Sequence, residues 1–186
     1  MTARRRIIVH IATSADGYIA RPDGDMAWLT SRPAPKGFYG MNTFVRSIDT
    51  KALGRKTYET SLRLGAPFDS KTRSIVFSRH APPADAPSGV EFVNEAIGPF
   101  VNRLRAQPGK DIWLMGGGEI IASFLDEQAI DEFVISVAPV FIGEGIPLLA
   151  RRHRHVPLEL LSVERFDDGL VQSRYRVQRA TLADDH

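Results

Sequence analysis

Asp111-Ile112-Trp113-Leu114-Met115-Gly116-Gly117-Gly118-Glu119-Ile120-Ile121 is the stretch on which the reading of this chain turns. An apolar, strand-like run ends in three consecutive glycines, and an apolar-periodic helix begins at once. Glycine costs backbone entropy and packs no side chain, so a strand has little internal reason to end this way. Bare backbone suits a ligand lying against it. The following helix points its free N–H groups and the positive end of its dipole at the same spot, which favours an anion. A dinucleotide pyrophosphate is the obvious candidate. Close packing of the strand-to-helix turn against a neighbour is the alternative that the run alone leaves open. The run is not a Rossmann fingerprint, because Ile121 stands where the last small residue belongs, and no Gly-Lys-Ser/Thr closes it as a P-loop.

Outward from this run, strands alternate with helices. Ile7 to Ala12 reads as a buried strand, ended by the turn Ser14-Ala15-Asp16-Gly17, and Tyr18-Ile19-Ala20 resumes it before the turn signal Arg21-Pro22-Asp23-Gly24-Asp25. Phe38, Met41, Val45 and Ile48 have helical spacing, so a helix is predicted over Phe38 to Ile48. A short segment, Lys51-Ala52-Leu53, leads into Gly54-Arg55-Lys56-Thr57. Strands are predicted over Ser74 to Ser78 and Val90 to Val93, and helices over Glu95 to Arg105 and Gly118 to Asp126. Glu132 to Pro139, Leu158 to Arg165 and Leu170 to Gln178 read as strands, the last two joined by Asp167-Asp168-Gly169. That order predicts one α/β domain over 1–186: a mostly parallel sheet flanked by helices, with an antiparallel C-terminal hairpin and a frayed tail over 180–186.

The 186 residues are 43% hydrophobic and 25% charged, with a formal charge of +2, ordinary for a soluble globular chain and too weakly basic to imply nucleic-acid binding. Cysteine is absent, which excludes thiolate nucleophiles and cysteine-ligated zinc. No metal site is expected, since His153 and His155 have no carboxylate nearby before Glu159. No signal segment or membrane span is visible, so a cytoplasmic location is the default. The cluster Arg151-Arg152-His153-Arg154-His155 reads as a solvated loop rather than a nucleic-acid surface, because no aromatics interleave it.

Two further segments bear on the ligand. Gly54-Arg55-Lys56-Thr57 sits where a strand gives way to a helix, so backbone N–H groups, a hydroxyl and two cations can converge on phosphate oxygens. Ser78-Arg79 follows another strand, at the edge where α/β sheets bind ligands, and suits a ribose 2′-phosphate. Both also have plain readings, as a charged helix start and a solvent-facing arginine.

In order, Ser14-x-Asp16-Gly17-Tyr18-Ile19-Ala20, Gly54-Arg55-Lys56-Thr57-Tyr58-Glu59, Ile75-Val76-Phe77-Ser78-Arg79, Met115-Gly116-Gly117-Gly118-Glu119 and Ala138-Pro139-Val140-Phe141-Ile142-Gly143-Glu144-Gly145 resemble the dihydrofolate-reductase-like superfamily. Within it, the chain is most similar to stand-alone proteins related to the C-terminal reductase domain of riboflavin-biosynthesis enzymes, from about Ile7 to Gln178. The resemblance implies the three-layer dihydrofolate-reductase-like fold with an eight-stranded sheet, a homodimer, and NADPH across the carboxyl edge. By matching position, Gly54, Arg55, Lys56 and Thr57 would bind cofactor phosphates and Ser78 and Arg79 the 2′-phosphate end. Gly116, Gly117, Gly118, Glu119 and Ile120 would run under the pyrophosphate and nicotinamide, with a cis peptide between the first two. Ala12, Ile19 and Ala20 would border the nicotinamide, and the loop Arg21 to Trp28 would cover the site.

The chain departs from both relatives. No acidic residue lies between Asp25 and Asp49, where folate reductases carry a carboxylate assisting protonation, and the usual Pro-Trp pair is Ala27-Trp28. The fused deaminase of the riboflavin enzymes is missing. The implied activity is NADPH-dependent reduction of a pterin- or pyrimidine-type heterocycle. Its rival is a non-catalytic nucleotide-binding regulatory protein. Substrate contacts are assigned to Asp16, Trp28, Tyr39 and Phe44; a turn-forming role for Asp16 and core packing of the aromatics explain the same residues. No catalytic residue is identified.

Overall fold

The computed structural model describes residues 4–33, 35–65, 68 and 71–179; the tail 180–186 lies outside them. Strand β1 (Ile7–Ser14) occupies the middle of the sheet, and its Ile7, Ile8 and Val9 are almost wholly buried. A strand covered on both faces has no polar side to show, which is why this segment reads as a continuous apolar run. Each such side chain contributes roughly 1.5–3 kcal/mol of burial. The remaining elements, in chain order, are β2 (Tyr18–Ala20), α1 (Ala27–Thr30), α2 (Met41–Ser47), β3 (Ile48–Gly54), α3 (Arg55–Arg63), β4 (Arg73–Phe77), β5 (Val90–Val93), α4 (Ile97–Ala106), β6 (Asp111–Gly116), α5 (Gly118–Asp126), β7 (Glu132–Ala138), β8 (Ile146–Pro147), β9 (Leu158–Arg165) and β10 (Val171–Val177).

Eight strands form one sheet in the order β5-β4-β3-β6-β1-β7-β10-β9. All neighbours from β5 to β7 run parallel; β10 is antiparallel to β7 and β9 to β10. Alternation along the strands divides the core. Val9, Ala52, Ile75 and Leu114 pack with Phe100 of α4 and Ile121 and Phe124 of α5, while Leu53 and Val76 pack with Tyr58 of α3 on the opposite face. The result is helices, sheet, helices. No helix among the described residues is long and apolar enough to cross a membrane. Leu158, Leu160 and Val163 on edge strand β9 are exposed.

One local expectation fails. The helix predicted from Phe38 to Ile48 spans only Met41–Ser47, because Gly37, Phe38, Tyr39 and Gly40 all have positive φ (87, 53, 54 and 76°). Ile48 instead opens β3, which the sequence disguises with Asp49 and Lys51. Asp49 is ion-paired to the buried Arg5, and the Lys51 ammonium lies 5.1 Å from the Phe68 ring centroid. The strand read at Tyr18 to Ala20 lies in a small separate sheet, in which β2 pairs antiparallel with β8. Its close approach needs Gly145, where a Cβ would come within 2.2 Å of the Ala20 carbonyl oxygen.

Candidate active site

The carboxyl ends of β1, β3, β4 and β6 open onto one cavity of about 1520 Å³. Two helices begin there. Helix α3 starts directly after Gly54 and α5 after Gly117, and no side chain caps either one. Their first-turn N–H groups therefore have no intrahelical partner and offer donors and partial positive charge to an anion. Lys56 and Arg79 also line this end, and among the described residues neither forms an ion pair. Arg55 is held more tightly. Its Nε donates to Glu59 (2.6 Å), its Nη1 donates to the Ala81 carbonyl (3.0 Å), and its guanidinium lies 5.7 Å from the Phe92 centroid. The Ser78 hydroxyl is engaged with the backbone of His80, accepting from its N–H and donating to its carbonyl.

The three glycines have three different reasons. Gly116 has φ of 120° and is joined to Gly117 by a cis peptide, as the resemblance implied; it does not line the cavity. Gly118 is dictated by packing, since a Cβ there would lie 2.4 Å from the Pro147 carbonyl oxygen of β8. Gly117 alone meets the cavity without backbone crowding: its nearest neighbours would be Thr57 Oγ1 at 3.3 Å and Ile19 at 3.9 Å. Packing therefore accounts for Gly118, while Gly117 leaves open backbone toward the cavity.

The opposite end of the cavity lies under β1, β7 and β10. His10, on the α2-facing side of β1, is 6% exposed and packs edge-on against Phe44 (4.6 Å between centroids). Burial, reinforced by the nearby positive charge of Arg174, lowers its pKa to about 4, so the imidazole is neutral at physiological pH. Gln172 Nε2 lies 3.4 Å from His10 Nε2, and donates to Ser136 Oγ (2.9 Å) and the Tyr39 carbonyl (3.2 Å). Arg32 Nη2 meets the Asp168 carboxylate at 2.8 Å and its carbonyl at 2.6 Å, and the Tyr39 hydroxyl donates to the same carboxylate at 2.6 Å. Hydrogen bonds from Tyr39 and Arg32 hold Asp168 below the usual carboxylate range, while burial beside that carboxylate raises Tyr39.

The cavity brings together Ala12, Ile19, Ala20, Gly54, Arg55, Lys56, Thr57, Ser78, Arg79, Gly117, Gly118, Glu119, Ile120 and Tyr39, together with Pro22, Gly24 and Met26 of the loop expected to cover it. Gly116, Asp16, Trp28 and Phe44 do not line it. The Asp16 carboxylate instead accepts from the Gly143 (2.8 Å) and Ile142 (3.2 Å) amides, tying the β1–β2 turn to the loop before β8. Phe44 stands behind His10 and Trp113, and Trp28 sits in the short helix α1 with its indole nitrogen buried and unpartnered. The basic cluster is pinned to α5, with Arg152 and Arg154 both on Asp126, and Arg152 reaches the cavity rim beside Glu119. His10, Arg32, Ser136 and Asp168 were not foreseen. His10 alone had a signal, as the one titratable residue inside an apolar strand.

A family model described as the RibD C-terminal domain matches residues 5–172. An uncharacterized protein of Bacillus subtilis (strain 168), YwjB, is 36% identical over 171 residues, covering 92% of this chain and 97% of that protein. The crystal structure of a putative riboflavin biosynthesis protein from Shewanella sp. PV-4 superposes with a TM-score of 0.81 at 29% identity, covering 94% of this chain and 99% of that one. Dihydrofolate reductase from Enterococcus faecalis shares the fold at a TM-score of 0.70 and 16% identity, covering 96% and 100% of the two chains.

Proposed function

The chain belongs to the RibD C-terminal domain family, and from that premise we propose that it is an NADPH-dependent reductase of a planar pterin- or pyrimidine-type heterocycle. One observation carries the reading: two uncapped helix N-termini, at Gly54 and Gly117, face the same cavity as Lys56 and Arg79, which form no ion pair among the described residues. Such a set suits a ligand with several separated phosphates. Lys56, Thr57 and the α3 amides would hold one phosphate group, the Gly117–Glu119 backbone the pyrophosphate, and Arg79 the 2′-phosphate. Ala12, Ile19 and Ala20 would flank the nicotinamide. When bound, NADPH supplies the hydride for an electron-poor C=N or C=O carbon, and the protein's work is positioning. Asp168, committed to Tyr39 and Arg32, is a poor acid, so the proton comes from water.

Equilibrium titration with NADPH and NADH separately tests the cofactor. Tight binding of NADPH and weaker binding of NADH is expected; equal weak affinity removes the role given to Arg79. A second reading, a nucleotide-binding regulatory protein without chemistry, is favoured by the lack, among the described residues, of an uncommitted carboxylate at the β1–β7–β10 end. NADPH oxidation across a panel of pterins, flavin precursors and quinones separates the two. A homodimer and a cytoplasmic setting belong to the same proposal. The exposed Leu158, Leu160 and Val163 of β9 support the dimer, and a monomer mass by light scattering would remove it.

A further inference from the structure

Among the described residues, Arg32 is the one permanent cation that lines the cavity away from its nucleotide end; Arg55, Lys56, Arg79 and Arg152 all stand beside β3, β4 and α5. The Arg32 side chain is 20% exposed, and only its Nη2 is engaged, with the Asp168 carboxylate and carbonyl. Nε is shut away from solvent without a partner, and Nη1 also has none among the described residues. A guanidinium is always charged and carries five N–H donors, so the bonds of one nitrogen leave most of its lost hydration unreplaced. Asp168 holds this group from behind. Its carboxylate also accepts from the Tyr39 hydroxyl at 2.6 Å and the Leu170 N–H at 3.2 Å, and it does not line the cavity. Tyr39 reaches it from a left-handed backbone that non-glycine residues rarely adopt, a conformation usually kept where a site requires it. The carboxylates that do line the cavity, Glu95 and Glu119, stand with β5 and α5, at the nucleotide end.

We propose that Arg32 is the substrate-selecting residue of this cavity and that the substrate carries an oxyanion, a carboxylate or a phosphate, on its ring. Nη1 is the donor left for that oxygen. Asp168 and Tyr39 already fix the guanidinium, so little side-chain freedom is lost when the contact forms. Apolar and aromatic lining at this end, from Leu29, Phe38, Tyr39, Trp113 and Leu170, takes the faces of the ring and lowers the local dielectric in which the charges meet. Asp168 lies behind the guanidinium and is shared among three donors, so it offsets part of the attraction without cancelling it. A neutral ring of the same shape fills the same space and leaves Nη1 without a partner. Placing the substrate at this end rests on the reductase reading; the preference for an anion follows from Arg32 alone.

The test is calorimetric binding of two matched pairs to the NADP⁺-loaded protein: pterin-6-carboxylate against 6-hydroxymethylpterin, and the phosphate ester of 5-amino-6-(ribitylamino)uracil against the free alcohol. The anionic member of at least one pair is expected to bind roughly tenfold more tightly, the size of one charge-assisted hydrogen bond, and the pair that shows it names the oxyanion. Arg32→Gln should erase or reverse that ratio, since it leaves the Asp168 carboxylate behind the site. The double variant Arg32→Gln with Asp168→Asn removes both charges, spares the fold an unpaired carboxylate, and should bring the ratio near one. Arg32→Lys should keep part of it, and NADP⁺ affinity should be the same in all. Equal or tighter binding of both neutral members to the natural protein overturns the inference, and so does a ratio that persists in the folded double variant. If none of the four binds while NADP⁺ does, the inference falls and the cofactor reading stands. If NADP⁺ itself fails to bind, the cofactor reading falls, and the same ratios on the unloaded protein decide the inference.

Discussion

His10 makes the stability of this protein depend on pH in a way that a single substitution isolates. In the fold its pKa is about 4, against an ordinary value of 6.5, because burial and the Arg174 charge oppose the imidazolium. As pH falls, the unfolded chain takes up this proton first, so stability from this group is fully present above about pH 6.5 and is lost on descending towards pH 4. The whole difference is worth about 3 kcal/mol, and about 2 kcal/mol of it falls between pH 7 and pH 5. That is a large share of the roughly 5–15 kcal/mol by which a domain is stable. The perturbation is His10→Gln, which keeps a polar group near Gln172 and Ser136 but does not titrate. Urea unfolding of both proteins at the two pH values measures the loss in each. Carboxylates titrating in the same window act on both proteins and cancel in the difference. The natural protein should lose about 2 kcal/mol more than the variant. Equal losses would refute the reasoning, since they would show that His10 is protonated in the fold or that its surroundings relax to accept the charge.

Other expected outcomes follow from the same geometry. Gly118→Ala should cost roughly 1–3 kcal/mol, because its Cβ would strike the Pro147 carbonyl at 2.4 Å, whereas Gly54→Ala, whose nearest atom is Ile120 at 3.6 Å, should unfold near the natural temperature; thermal melts compare them. Arg79→Ala should weaken NADPH about tenfold while leaving NADH unchanged, the loss of one charge-assisted phosphate contact, and calorimetry on both cofactors reads the difference. NADPH affinity should fall with added salt, and less steeply in Lys56→Ala, because that ammonium is exposed and screened by ions; a titration series in sodium chloride would show parallel slopes if Lys56 plays no part.

Much of this molecule is legible in the sequence, and the boundary between what is and is not has a physical cause. Strands covered on both faces, such as Ile7 to Ala12 and Asp111 to Gly116, announce themselves by apolar runs, and α5 announces itself by the glycines at its start. The start of β3 did not, because Asp49 and Lys51 find partners only in the fold, in Arg5 and against Phe68. The predicted helix at Phe38 failed because helical spacing cannot register four consecutive positive φ angles.

The same distinction divides the cavity. Its nucleotide end is made of strand-to-helix junctions, Gly54-Arg55-Lys56-Thr57 and Gly116-Gly117-Gly118, in which the groups offered to a ligand are contiguous backbone and neighbouring side chains. A local motif therefore describes a local site. The other end joins His10 to Ser136 and Gln172, and Arg32 and Tyr39 to Asp168, across separations of more than a hundred residues. None of these pairs leaves a local spacing, so the sequence could place aromatic candidates near a substrate, yet two of the three, Trp28 and Phe44, stand behind the cavity wall. Substitutions at the junctions should thus alter cofactor affinity, while those at His10, Ser136 or Arg32 should alter the choice of substrate and leave cofactor affinity unchanged. Variants at His10 or Arg32 that lost NADPH binding while still folded would show that the two ends are one site, and would undo the separation of roles argued from this geometry.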